Sequence, residues 1–99
     1  MKLNEVIAAI DEQHEAAIIF VKKVNGKVLP NSEAVLVVIG EEEGDWKTDQ
    51  IASKYCPGFE YFLEVFIIQD MIDDLKGMAN YNTLDQQVNR IIHYAEFDA

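Results

Sequence analysis

The sequence predicts an α+β domain, with a three-stranded mixed sheet packed by about four helices in the order α-β-β-α-β-α-α. Three observations predict it. Runs of strand length, rich in β-branched and aromatic residues, occupy residues 17–24, 34–39 and 59–67. Segments of helical period lie before, between and after them. At 99 residues and 49% hydrophobic content, the chain has the size and core of one domain spanning residues 1–99.

The first half of the chain predicts a helix followed by two strands. Apolar residues recur at helical spacing over residues 3–13, and Asn4 is a usable N-cap. The strand at 17–24 runs into Asn25-Gly26, the strongest turn signal in the sequence. A loop or irregular hairpin is expected over residues 25–32. The nearly uninterrupted apolar run at 34–39 predicts a central strand covered on both faces.

The second half predicts a helix, a strand and two more helices. A short helix over residues 46–55 ends at Cys56-Pro57-Gly58, because proline cannot continue a helix. A right-handed crossover is expected if the strands at 34–39 and 59–67 are parallel. Thr83 and Gln86 form a capping box that opens a helix to about Phe97, with one apolar stripe.

Residues 59–75 are the longest apolar concentration and admit two interpretations. In the first, residues 59–67 form a strand and a short helix begins near Gln69 or Asp70, because the polar positions from Gln69 to Lys76 share a helical face that Glu60 and Glu64 do not. In the second, one continuous helix covers the whole run. We favour the first, since a change of period near Ile68 explains the polar positions better.

The charge of the chain excludes some classes of partner. The net charge is −10, and residues 41–99 carry −9 of it. Such a surface repels nucleic acid and anionic membranes and attracts basic partners. The alternative is that the acidic residues only keep the protein soluble. No run approaches the roughly 20 apolar residues of a membrane helix. No secretory signal is apparent in the sequence. The single cysteine cannot form an intrachain disulfide. We therefore expect a cytoplasmic protein.

The motifs of common enzymes are not found in the sequence. Cys56 follows a predicted helix C-terminus, where the helix dipole disfavours a thiolate, so a packing role is expected for it. The Cys-x-x-Cys, His-Glu-x-x-His, EF-hand, P-loop and Gly-x-Gly-x-x-Gly patterns are all missing. We expect a non-enzymatic protein with no catalytic residue, no metal site and no cofactor.

Two groups of residues are candidate partner contacts. The densest acidic run contains a tryptophan at its end, and a large apolar surface rimmed by charge is the composition of an interaction hot spot. A tryptophan that anchors the start of the helix is the alternative. A second acidic group shares one face of the helix that follows residue 69. The candidates are Glu41, Glu42, Glu43, Asp45 and Trp46 in the first group, and Asp70, Asp73 and Asp74 in the second.

Two segments resemble a known class of proteins. They are residues 1–7, Met-Lys-Leu-Asn-Glu-Val-Ile, and the unit Tyr-Phe-Leu-Glu-Val at 61–65 that runs into Gln-Asp-Met-Ile at 69–72. Both are similar to small acidic proteobacterial proteins of unknown function that are carried on mobile DNA, sometimes beside toxin genes. The resemblance covers about a third of the chain and implies an α+β domain and an immunity-type role. It transfers no functional residue.

The leading hypothesis is a cytosolic protein-binding module that uses its acidic surface against a basic partner, as an immunity protein or nuclease inhibitor does. The alternative is a small-ligand-binding homodimer, since a small core leaves a thin stability margin. Its pocket would lie between the sheet and the last helix, lined by aromatic residues from the set Phe59, Tyr61, Phe62, Phe66, Tyr94 and Phe97. A carboxylate-dependent hydrolase that uses Asp70, Asp73 and Asp74 is a third reading.

Overall fold

The structure, a computed structural model, describes residues 1–98 and confirms the α+β class and the order of the elements. Short 3₁₀ turns lie at Ile10–Glu12, Glu41–Glu43 and Ala79–Tyr81. The main elements are α1 (Leu3–Ala8), β1 (Ile18–Val21), β2 (Ala34–Val37), α2 (Thr48–Tyr55), β3 (Glu60–Glu64), α3 (Val65–Leu75) and α4 (Leu84–Phe97).

The three strands form a sheet in the order β2-β1-β3, and both pairings are antiparallel. The expectation of a mixed sheet is corrected on this point. β2 and β3 do run in the same direction, but β1 lies between them, so they do not form a parallel pair. The chain reverses after β1, so β2 pairs with one edge of β1 as a hairpin, and β3 pairs with the other edge of β1.

The central strand is β1, and the prediction that residues 34–39 form the central strand is wrong. All four residues of β1 are buried, whereas β2 lies at an edge and ends at Val37. Val38, directly after it, is 52% exposed. An apolar run shows that residues can be buried, but its place in the sheet depends on which neighbours pair with it.

The aromatic middle of the chain changes from strand to helix at Val65. β3 ends at Glu64, so the predicted strand over 59–67 is confirmed over five of its residues and is wrong at its end. Helical spacing explains the early start of α3, because its buried residues are Val65, Ile68, Ile72 and Leu75. The Val65 N–H donates to the Ala17 carbonyl at 2.9 Å, which joins the new helix to the start of β1.

Apolar residues pack on both faces of the sheet. In β1, Ile19 and Val21 point to a larger core, and Ile18 and Phe20 point to a smaller one. The larger core holds the buried residues of α1, α3 and α4, and the smaller core holds Ile51 and Ala52 of α2. The helices are therefore divided, three on one face of the sheet and α2 on the other.

The turn and cap signals are confirmed where they are strongest. Asn25 and Gly26 both have positive φ, and Val24 and Lys27 exchange backbone hydrogen bonds across them, as in a type I′ hairpin turn. At the start of α4, the Gln86 N–H donates to Thr83 Oγ1 at 3.3 Å and the Thr83 N–H donates to Gln86 Oε1 at 3.2 Å.

Two predicted helix starts are corrected. The N-cap of α1 is Lys2 instead of Asn4, because the Lys2 N–H donates to the Glu5 carboxylate at 2.7 Å. The helix also ends at Ala8, and a 3₁₀ turn replaces its predicted last turn. Helix α2 begins at Thr48 and not at Trp46, and the N–H of its cap residue Lys47 donates to Gln50 Oε1 at 2.9 Å.

Candidate functional site

The acidic run folds into a compact turn against α2. We call residues 40–46 the acidic turn. Glu41–Glu43 form its 3₁₀ segment, and the Trp46 N–H donates to the Glu43 carbonyl at 3.0 Å. Glu41, Glu42 and Asp45 are exposed, whereas Glu43 is only 4% exposed. The acidic residues were predicted to be exposed as one group, but only Glu41, Glu42 and Asp45 face solvent, and Glu43 is buried.

The carboxylate of Glu43 accepts hydrogen bonds from three donors. Lys54 Nζ donates to Oε2 at 2.7 Å, and the Tyr55 hydroxyl lies 2.6 Å from Oε1 and 2.8 Å from Oε2. The N–H of Gly40 completes the set at 3.2 Å from Oε1. A buried carboxylate requires such partners, because an unpaired charge in the interior is costly.

These hydrogen bonds dominate the ionisation of the cluster. The Lys54 ammonium, followed by the Tyr55 hydroxyl, lowers the pKa of Glu43 from 4.5 to about 2. The same contacts with the carboxylate raise the pKa values of Lys54 and Tyr55. Glu43 is therefore an internal anchor that holds the acidic turn on α2, and its predicted role as a partner contact is corrected.

Trp46 lies at the edge of this anchor and remains 39% exposed. The ammonium of Lys54 is 5.3 Å from the centre of its ring and 4.9 Å from the centre of the Tyr55 ring. Such cation–π contacts orient an exposed indole. The side chain therefore contacts the last turn of α2, and not its start, and part of its apolar surface remains exposed.

The second predicted group lies on the exposed face of α3. Asp70, Asp73 and Asp74 are all exposed, and Lys76 Nζ lies 3.9 Å from an Asp73 oxygen. Phe66, one turn before Asp70, is 50% exposed. The sequence predicts Phe66 to lie in a strand over residues 59–67. The spacing of Val65, Ile68, Ile72 and Leu75 is the signal that identifies it as exposed, because Phe66 falls outside that stripe.

The two acidic groups lie on opposite faces of the sheet. The acidic turn is attached to α2, which packs on the smaller core, and α3 packs on the larger one. The eight candidate residues therefore separate into an internal anchor, Glu43, and two independent surfaces.

A cavity of about 300 Å³ lies between β3, the hairpin turn and the end of α4. This is the position predicted for a ligand pocket, between the sheet and the last helix. Tyr61, Phe62 and Tyr94 line it. The other three aromatic residues of the predicted set lie elsewhere. Phe59 packs against the smaller core, and Phe66 and Phe97 are exposed.

Tyr61 forms a fixed wall of the cavity. Its hydroxyl donates a hydrogen bond to the Glu64 carboxylate, and its ring meets the Phe20 ring edge-on with centroids 6.4 Å apart. Burial, followed by the bond to Glu64, raises the pKa of Tyr61 above its ordinary value. The hydrogen bond and the ring contact both orient this side chain.

Cys56 is buried in the smaller core at the end of α2. Burial raises the pKa of its thiol, because a thiolate is poorly solvated there. Over residues 1–98, no group of three or more histidine, cysteine or acidic side chains is placed to hold a metal ion. The helices in that range are too short or too polar to span a bilayer.

Comparisons of the chain with protein-family models, with curated proteins and with solved structures found no match. The resemblance seen in the sequence to small acidic proteins carried on mobile DNA therefore stays a prediction.

Proposed function

We propose that this chain is a non-enzymatic protein-binding module whose acidic turn contacts a basic protein, in the manner of an immunity or inhibitor protein. One observation carries the proposal. The buried Glu43 carboxylate fixes the turn on α2, so that Glu41, Glu42, Asp45 and the exposed part of Trp46 are presented together.

Fixing the turn before binding matters because ordering flexible side chains and loops subtracts from affinity. The Glu43 anchor joins the turn to a helix, and helices are rigid supports for a contact surface. Trp46 then supplies the apolar area that carries binding energy in hot spots, while the three carboxylates form a charged rim.

The charge distribution supports a basic partner. Residues 41–99 hold most of the net charge of −10, and a field of that sign accelerates the approach of cations. The resemblance to proteins found beside toxin genes suggests where such a partner is encoded, namely in a neighbouring gene for a basic protein.

The test is calorimetric titration of the chain with the purified product of such a neighbouring gene. Trp46→Ala should weaken binding by roughly thirtyfold, which corresponds to about 2 kcal/mol for a central aromatic contact. Raising the salt concentration from about 0.05 to 0.5 M should also weaken binding, because it shortens the range of charge attraction. Affinity that does not change with salt contradicts the electrostatic account.

The two acidic surfaces provide a matched control. The triple variant Glu41→Gln, Glu42→Gln, Asp45→Asn and the triple variant Asp70→Asn, Asp73→Asn, Asp74→Asn each remove three negative charges from exposed positions. Only the first should reduce affinity strongly. An equal loss in both variants means that binding depends on net charge alone, and a loss confined to the second variant moves the contact to α3.

A further inference from the structure

The cavity beside α4 combines an apolar interior with charged groups of both signs. Its apolar lining comes from the hairpin, β3, α3 and α4, and consists of Val28, Phe62, Leu63, Ile67, Ile92 and Ala95. Lys23 and Lys27 line it from the β1–β2 connection, and Glu96 and Asp98 line it from the end of α4. Apolar walls with a few placed polar groups are the usual composition of a small-molecule site.

The charged groups stand on separate elements. The two lysines lie on the connection between β1 and β2, and the two acids lie at the C-terminal end of α4. Lys23 also faces Glu60 at 3.6 Å, an exposed pair that contributes little by itself. A ligand with a single charge would meet a like charge across the cavity, whereas a ligand with both charges has a partner on each element.

The size and the aromatic walls limit the ligand further. A volume of about 300 Å³ is at the lower end for ligand sites. It suits a molecule the size of an amino acid better than a nucleotide. Tyr61 lies at the edge of the cavity, where its ring contacts Phe20 of the smaller core, and it adds aromatic surface to the lining.

We propose that this cavity binds a small amphipathic zwitterion, an aromatic amino acid in the simplest case. Its carboxylate faces Lys23 and Lys27, its ammonium faces Glu96 and Asp98, and its ring lies on the apolar floor beside Tyr61 and Tyr94. The inference is independent of the proposed protein contact, because α2 and the acidic turn pack on the other face of the sheet.

Three probes that share a phenyl ring separate the contributions. They are L-phenylalanine, which carries both charges, 3-phenylpropanoate, which carries only the carboxylate, and 2-phenylethylamine, which carries only the ammonium. Each is titrated into the full chain by NMR, with chemical-shift changes followed at the lining residues. L-Phenylalanine should bind at least tenfold more tightly than either singly charged probe. Equal binding by one of the singly charged probes, or no shift changes with any probe, overturns the proposal.

Variants locate the site. Ala95→Phe fills the cavity and should abolish the shift changes, whereas Asn89→Phe, on the exposed face of the same helix, should leave them intact. Lys27→Gln and Glu96→Gln change exposed rim residues, so they report on the site even if Ala95→Phe fails to fold. Each should weaken L-phenylalanine binding several-fold. Unchanged affinity in both rim variants overturns the charge assignment.

Discussion

Glu43 has two effects on the acidic turn, since it removes one charge from the surface and fixes the position of the others. Its partners Lys54 and Tyr55 are 11 and 12 residues further along the chain, on the last turn of α2. Three consecutive glutamates look alike in the sequence. Which of them turns inward depends on where α2 places its last turn, so spacing alone did not identify the anchor.

Replacing Glu43 by Gln should lower the melting temperature at neutral pH, because the charged hydrogen bonds from Lys54 and Tyr55 are lost. The folded state holds the pKa of Glu43 at about 2, below its ordinary 4.5. The stabilisation is therefore complete above about pH 4.5 and disappears as the pH falls towards 2. Thermal melts of both proteins from pH 7 to 2.5 should show their difference shrinking over that interval.

Glu42→Gln is the control, because it removes the same charge from an exposed position of the same turn. Its melting temperature should stay close to that of the parent chain at every pH. If Glu42→Gln and Glu43→Gln lower the melting temperature equally, the anchoring role of Glu43 is wrong.

At the scale of elements, the apolar run at 59–75 changes from a strand to a helix. Burial in β3 does not alternate, since the neighbours Phe62 and Leu63 are both buried, whereas spacings of three and four residues fit the buried face of α3. The sequence predicts a strand followed by a helix, with the change near Ile68. The predicted change falls too late because Val65, Phe66 and Ile67 suit either element, and after Glu64 the next polar residue is Gln69.

The helical register of α3 predicts that truncating Ile68 and truncating Phe66 have very different effects on the free energy of unfolding. Ile68→Ala removes a fully buried side chain and should destabilise the fold by about 2–5 kcal/mol. Phe66→Ala removes a larger side chain that is half exposed, and should change stability by no more than about 0.5 kcal/mol. Urea unfolding measures both. A large loss for Phe66→Ala would show that its ring is buried, against the register of α3.

The capping box of α4 is a further element whose contribution can be measured. Thr83→Ala removes the side chain that accepts from the Gln86 N–H, and should cost about 1 kcal/mol in the free energy of unfolding. Asn89→Ala, at an exposed position inside the same helix, serves as the control and should lie within about 0.5 kcal/mol of the parent. Equal stability of the two variants would show that the cap contributes nothing.

At the scale of the whole molecule, the sequence predicts the fold class and the order of helices and strands better than it predicts which strands pair. The class, the sequence of elements and the strongest signals, Asn25-Gly26 and Thr83-Gln86, follow from local chemistry. The central position of β1 and the separation of the acidic groups onto opposite faces depend on contacts between distant segments. A single sequence contains no direct record of such contacts. The position of the cavity was predicted, whereas its charged rim was not.

The acidic composition predicts how the folded state responds to salt. Mutual repulsion of charges weakens a compact state, and added salt screens it over about 10 Å at 0.1 M. With a net charge of −10, the melting temperature should rise between about 0.02 and 0.3 M sodium chloride. The triple variant Glu41→Gln, Glu42→Gln, Asp45→Asn should show a smaller rise, and a rise of the same size would contradict repulsion as its cause.

The buried thiol of Cys56 can be used to measure local opening of the fold. It is the one cysteine of the sequence, and it lies in the smaller core at the C-cap of α2. A thiol reagent such as Ellman's reagent reaches a buried thiol only after a local or global opening, so the rate of labelling under native conditions measures the free energy of the opening that exposes Cys56. Comparing this rate with global unfolding would show whether the two faces of the sheet come apart together or one at a time.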